Sequence, residues 1–208
     1  LFVGAVGVVA AVVVIGGVVQ IVGGLGGSKS DSYITYVKDG YINQSDIEHY
    51  KKKPVEYQGR YGSTSDDGEN YSAGVRYSKD GKYICYPTDV NYGDDSIEFR
   101  LNMQKVGKTE EPVKIDSSVT SYTILDNNKI LYKKAGNDTL YINDKKGNKE
   151  KIASDVEYFY LDSDQKNIVW SESNGDGTIN VCQQDVALKK EKKTLATDFN
   201  PSPTSLIS

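Results

Sequence analysis

The chain has 208 residues and a net charge of −4, with 16 tyrosines and a single histidine. The acidic balance excludes the basic face of a nucleic-acid binder, and one histidine leaves little room for histidine-based metal or acid–base chemistry. Tyrosine suits half-buried strand positions, with its ring packed and its hydroxyl in water, so the composition predicts a β protein with much exposed sheet.

Residues 1–27 carry no charge, and Gln20 is their only conventionally polar side chain. About 20 such residues cross a bilayer as a helix, because backbone groups in hydrocarbon must pair internally. The run lacks the basic n-region, short apolar core and Ala-x-Ala-like site of a cleaved signal peptide. It therefore predicts one uncleaved transmembrane helix with the bilayer as its partner. The chain does not begin with Met and opens inside the apolar run, so its true N-terminus is expected upstream. Beyond the run, Lys29 and Lys38 mix with Asp31, Asp39, Asp46 and Glu48. That flank has no basic excess, so the rest of the chain is expected outside the cytoplasm. Residues 28–32 read as a flexible linker.

Residues 33–208 read as repeats. Four units, at about 33–74, 75–119, 120–156 and 157–199, each hold short β-rich runs, and residues 200–208 would open a fifth. The clearest hairpin spans residues 77–86, where Asp80-Gly81 supplies the turn. The closing strands align best: Ile115, Ile152 and Leu195 are each followed four residues later by an apolar residue, Val119, Val156 and Phe199. The steps are 37 and 43 residues, near the repeat of ~40–45 residues that marks a β-propeller blade. A four-stranded blade cannot bury both faces alone, so blades must stack. The predicted fold is all-β: a β-propeller-like stack of about four four-stranded blades, partial rather than closed, preceded by one transmembrane helix. In it, Ile84 faces one neighbouring blade and Cys85 the other.

Residues 77–84, Tyr-Ser-Lys-Asp-Gly-Lys-Tyr-Ile, resemble the S-x-D-G-K-x-I element of TolB-type and related WD-like propeller repeats. The layout as a whole resembles bacterial single-pass membrane proteins with a Tyr- and Lys-rich, propeller-like ectodomain, a group that often carries a zinc ribbon before the helix; no such ribbon occurs in this sequence. The resemblance covers about residues 33–199.

Two long loops are the candidate binding elements, since long loops carry function more often than short hairpins. Residues 59–74 hold Tyr61, Asp66, Asp67 and Tyr71, and residues 88–96 hold Asp89, Tyr92, Asp94 and Asp95. Aromatic and carboxylate side chains in loops suit protein, peptide or cell-wall glycan ligands. The bland alternative is tyrosine rings lying on their own sheet. Asn174-Gly175-Asp176-Gly177-Thr178 lacks calcium-loop spacing and reads as a tight turn. His49 sits in a polar segment and reads as a surface residue. Cys85 and Cys182 fall in different units and read as separate small hydrophobes. No nucleophile–base pair, metal spacing or cofactor motif occurs. The function expected is a membrane-anchored extracytoplasmic binding or scaffolding module. The alternatives are a glycan hydrolase or lyase using loop carboxylates, recognisable by two converging acids with one pKa raised, and a structural spacer.

Overall fold

The computed structural model describes residues 12–14, 17–21, 33–46, 49, 52–60, 74–93, 97–144 and 146–200. Among them the strands form sheets of five, seven and four members, all antiparallel between neighbours. The first sheet holds β1 (Val12–Val14), β2 (Gly17–Ile21), β3 (Tyr33–Lys38), β4 (Tyr41–Asp46) and β5 (Val55–Arg60). The second holds β6 (Arg76–Tyr77), β7 (Tyr83–Tyr92), β8 (Ile97–Lys105), β9 (Val113–Ile124), β10 (Ile130–Lys134), β11 (Thr139–Asn143) and β12 (Lys149–Ala153). The third holds β13 (Val156–Leu161), β14 (Asn167–Ser173), β15 (Ile179–Asp185) and β16 (Lys193–Phe199).

The helix expected over residues 1–27 is not what the described part of that run adopts. Val12–Val14 pairs with Gly17–Ile21, and β2 pairs in turn with β3 through Gln20–Val37 and Ile21–Tyr36. Valine is stiff at χ1 and favours extended backbone, and the open edge of β3 offers this segment hydrogen bonds. Among the described residues no helix is long and apolar enough to cross a membrane. The linker 28–32 and the start of a fifth unit at 201–208 lie outside the described residues.

The seven-stranded sheet is two four-stranded groups that share β9. β9 pairs with β8 from Met103–Val113 to Phe99–Val119 and with β10 from Lys134–Val119 to Ile130–Ile124, so Val119 has a partner on each side. Just before Val119, Ser118 takes a left-handed backbone with φ of 54°. Asp155, between β12 and β13, and Asp198, near the end of β16, do the same at 56° and 52°. Each immediately precedes the apolar residue of the repeat, and at Ser118 and Asp155 the chain turns out of one group and into the next. Ala135 N–H donates to Ser118 O and Ser173 N–H donates to Asp155 O, both at 2.8 Å.

The core lies between groups. Ile42, Tyr57, Val75, Ile84 and Tyr86 fill the first interface. Cys85, Phe99, Leu101, Val119, Tyr122 and Tyr132 contribute to the second, and Leu131, Leu140, Val156, Ile168, Trp170 and Cys182 to the third. Ile84 and Cys85 thus face opposite neighbours, as strand alternation requires. Each fully buried Leu or Ile contributes ~1.5–3 kcal/mol relative to exposure. Both cysteines are buried and free.

The first interface also carries a buried polar network. Gln44 Nε2 donates to Tyr77 Oη at 3.0 Å and to Thr35 Oγ1 at 3.2 Å, and Gln44 Oε1 accepts from Tyr57 Oη at 2.8 Å and from Gly107 N–H at 2.9 Å. Thr35 and Tyr77 hydroxyls also bond each other. Every polar atom of the Gln44 side chain is therefore matched, which a buried amide requires. Gly107 has φ of +70°, and a Cβ there would sit 3.0 Å from Tyr33 Oη.

Candidate functional site

The long loops deliver only their stems to the described structure. Tyr61, Asp66, Asp67, Tyr71, Asp94 and Asp95 lie outside the described residues. Asp89 is described. It sits at a register shift between β7 and β8, with φ of 51°, and pairs with Arg100 Nη2 at 3.1 Å. Tyr92 ends β7 opposite Ile97.

Both stems converge on one groove of about 1050 Å³. Its walls are Thr120, Ser121, Tyr122 and Thr123 of β9 and Glu157, Tyr158, Phe159, Tyr160 and Leu161 of β13, with Lys133, Ala135, Gly136 and Asp138 from β10 and the turn after it. Ile97 and Glu98 line it beside Tyr92, and Arg76 lines it two residues after Gly74, where the other loop re-enters the sheet. The groove therefore runs along the first strands of successive groups, at the mouth of both loops.

Its chemistry is aromatic with mixed charge. Tyr122 Oη donates to Cys85 O at 3.0 Å and to Gly74 O, which fixes the ring. The Arg76 guanidinium lies 5.7 Å from the Tyr122 ring centre, within cation–π range. Lys133 Nζ donates to Glu157 O at 3.1 Å and pairs with Asp138 Oδ1 at 3.2 Å. Tyr158 is 64% exposed, so its ring is open to a ligand.

The turns that follow these strands form a ladder. Ser78 Oγ and the Lys82 N–H donate to Asp80 Oδ1 at 2.7 and 3.1 Å. Lys79 pairs with Asp126 in the next turn, and Asp126 N–H donates to Gln165 Oε1 at 2.7 Å in the turn after that. Asp80 and Lys82 are thus turn chemistry. Hydrogen bonds from Ser78 and Lys82 hold the Asp80 carboxyl well below the usual carboxylate range.

Every described carboxyl group with a resolved shift moves the same way. Burial works against ionisation of Asp116, but hydrogen bonds from Lys134, Lys149, the Ser117 N–H and Tyr132 outweigh it and hold it low. Burial likewise opposes ionisation of Glu172, and Lys192 and Trp170 outweigh it. The Asp144, Asp162, Asp176 and Asp185 carboxyls are lowered by amide and hydroxyl donors of their own turns. An acid held ionised in this way is a poor proton donor. Asp176 Oδ1 accepts from the Thr178 N–H and hydroxyl at 2.9 and 2.6 Å, which makes residues 174–178 a self-contained turn. His49 is exposed and bonds Asp46 through Nδ1 at 2.9 Å. Among the described residues no group of three or more His, Cys, Asp or Glu side chains could hold a metal ion.

Sequence reasoning missed Arg76, Glu98, Tyr122, Lys133 and Tyr158. They are spread over five chain segments, and the one local signal is that Tyr158 follows closely on the turning residue Asp155.

No family model matches the sequence, and the comparison with curated proteins found no match. Solved structures do match. TolB from Acinetobacter baumannii is 15% identical over 80% of this chain and 41% of its own, with a TM-score of 0.45. A eukaryotic initiation factor is 12% identical over 81% of this chain and 42% of its own, at 0.50. The dihydro-heme d1 dehydrogenase NirN is 15% identical over 85% of this chain and 36% of its own, at 0.51. This chain spans about two fifths of the length of these structures. At such identities the likeness concerns fold alone. Together with the stacked antiparallel groups it supports an all-β, β-propeller-like fold.

Proposed function

We propose that this chain is a binding or scaffolding module that takes an extended peptide or cell-wall glycan in the groove between β9 and β13. The observation that carries the reading is the convergence of both long-loop stems on a groove bearing an open Tyr158, a fixed Tyr122 and Arg76. Aromatic faces and bidentate cations bind sugar rings and peptide backbones without requiring any reacting group.

Attachment to a bacterial envelope, with the β region outside the cytoplasm, belongs to the same reading. It rests on the uncharged residues 1–27 and on the resemblance of residues 77–84 to TolB-type repeats. Co-flotation of the full chain with liposomes, lost on deletion of residues 1–27, tests the attachment.

A peptide and glycan array probed with the full chain tests the binding. The expected result is a set of extended ligands whose signal falls with Tyr158→Ala. An array blank for both classes overturns the reading and favours a structural spacer.

A further inference from the structure

Five consecutive residues of β13, Glu157 to Leu161, line one wall of the groove, and four consecutive residues of β9, Thr120 to Thr123, line the other. A sheet face presents alternate residues, because successive side chains point to opposite sides. A wall that shows every residue in turn is a strand edge. β13 pairs with β14 on one side, and among the described residues it has no strand on the other. The hairpin sets the direction of its backbone groups. Asp162 N–H donates to Asn167 O at 3.2 Å, so by antiparallel alternation Tyr160 also bonds across to β14, while the N–H and C=O groups of Phe159 and Leu161 point away from it. The neighbouring residues agree. Glu157 O faces Lys133 Nζ, itself a groove residue, at 3.1 Å, whereas Tyr158 N–H turns back to Ser171 Oγ at 3.2 Å. Tyr158 and Tyr160, two residues apart on one face of β13, are both largely exposed.

We propose that the ligand of this groove is an extended peptide that pairs as an added strand with the free edge of β13. This rests on the groove reading above and narrows it from peptide or glycan to peptide. The occupant follows from the chemistry of the edge. A strand edge offers alternating donors and acceptors at a fixed spacing, and another extended backbone matches both. Phe159 and Leu161 supply that pattern, beginning where regular pairing with β14 resumes after the irregularity between Val156 and Phe159. The rings of Tyr158 and Tyr160 then flank alternate side chains of the added strand as cross-strand neighbours do.

A random decapeptide library displayed on phage and panned against the full chain supplies the probes, and each selected peptide is resynthesised with its backbone N–H groups methylated one at a time. The expected result has a period of two: methylation at alternate positions weakens Kd by about tenfold or more, and at the positions between them changes it by less than about twofold. Leu161→Pro removes one outward N–H, which an edge strand tolerates because that group has no partner within the sheet. It is compared with Leu161→Ala, which loses the same side chain but keeps the N–H, and is expected to bind at least about tenfold more weakly. Circular dichroism checks that both fold; if Leu161→Pro does not, the methylation scan decides alone. Peptides that lose affinity with Tyr158→Ala but show no alternation, or that bind Leu161→Pro as well as Leu161→Ala, overturn strand pairing and leave the groove reading standing. A library without binders, beside glycans held on the array, does the same. Peptides indifferent to both Tyr158→Ala and Leu161→Pro, or no binder of either class, overturn both.

Discussion

Ser118 and Asp155 hold the same left-handed backbone, at φ of 54° and 56°, one repeat apart in the chain. Each accepts a backbone hydrogen bond at 2.8 Å from the residue that closes the following hairpin, and each hands the chain from one four-stranded group to the next. The propeller-like stacking is built on this recurring turn. Asp and Ser tolerate left-handed backbone better than β-branched residues do. Asp155→Val is therefore expected to destabilise by ~1–2 kcal/mol, and Asp155→Gly to be close to neutral. Urea unfolding measures both; equal effects would contradict the backbone argument.

The repeat equivalence of Val119, Val156 and Phe199 has a mutational signature. Phe199 is half in solvent, so Phe199→Ala is expected to cost under about 1 kcal/mol, against ~3–5 kcal/mol for a buried Phe. Val156→Ala, at a fully buried position, is expected to cost more than Phe199→Ala despite removing fewer atoms. Chemical denaturation of the two decides the order.

The Gln44 network predicts unequal costs. Tyr57→Phe removes one donor to Gln44 Oε1 but leaves the Gly107 N–H bonded there, so about 1 kcal/mol is expected. Gln44→Leu removes the acceptor of the buried Tyr57 hydroxyl, while the Gly107 N–H keeps Tyr57 Oη at 3.1 Å and the Thr35 and Tyr77 hydroxyls keep each other, so ~1–3 kcal/mol is expected for the one stranded donor together with the lost amide bonds. Thermal melts in which Gln44→Leu is the milder change would contradict the network's role.

Acid should unfold the chain partly through Asp116. Its folded-state pKa lies below that of the unfolded chain, so its stabilisation is present above about pH 4 and is lost as pH falls through the folded value. Asp116→Asn is expected to be less stable than wild type at neutral pH and to lose less stability between neutral pH and pH 2. Parallel stability–pH curves for the two proteins would show that the lysine partners do not act on Asp116.

The fold was legible because its signals are local and periodic. The hairpin at residues 77–86 and the closures at Ile115, Ile152 and Leu195 each declare themselves within a few residues. Two things were not legible. A Val- and Gly-rich run without periodicity reads the same for a bilayer helix as for buried strand, so β1 and β2 were hidden. The groove was hidden because Arg76, Tyr122, Lys133 and Tyr158 meet only once three groups have stacked. Gln44 looks like a surface amide until Tyr57 and Gly107 are placed against it.

On the proposed function, ligand enters the groove between β9 and β13 and not the ladder of turns. Titration of an array-derived peptide or glycan into wild type, Arg76→Ala, Tyr158→Ala and the turn variant Lys79→Ala tests it most directly. The two groove variants are expected to weaken Kd by about tenfold or more, while Lys79→Ala, at an exposed surface pair, is expected to leave it unchanged. Loss of binding in Lys79→Ala with Arg76→Ala and Tyr158→Ala at wild-type affinity would contradict it.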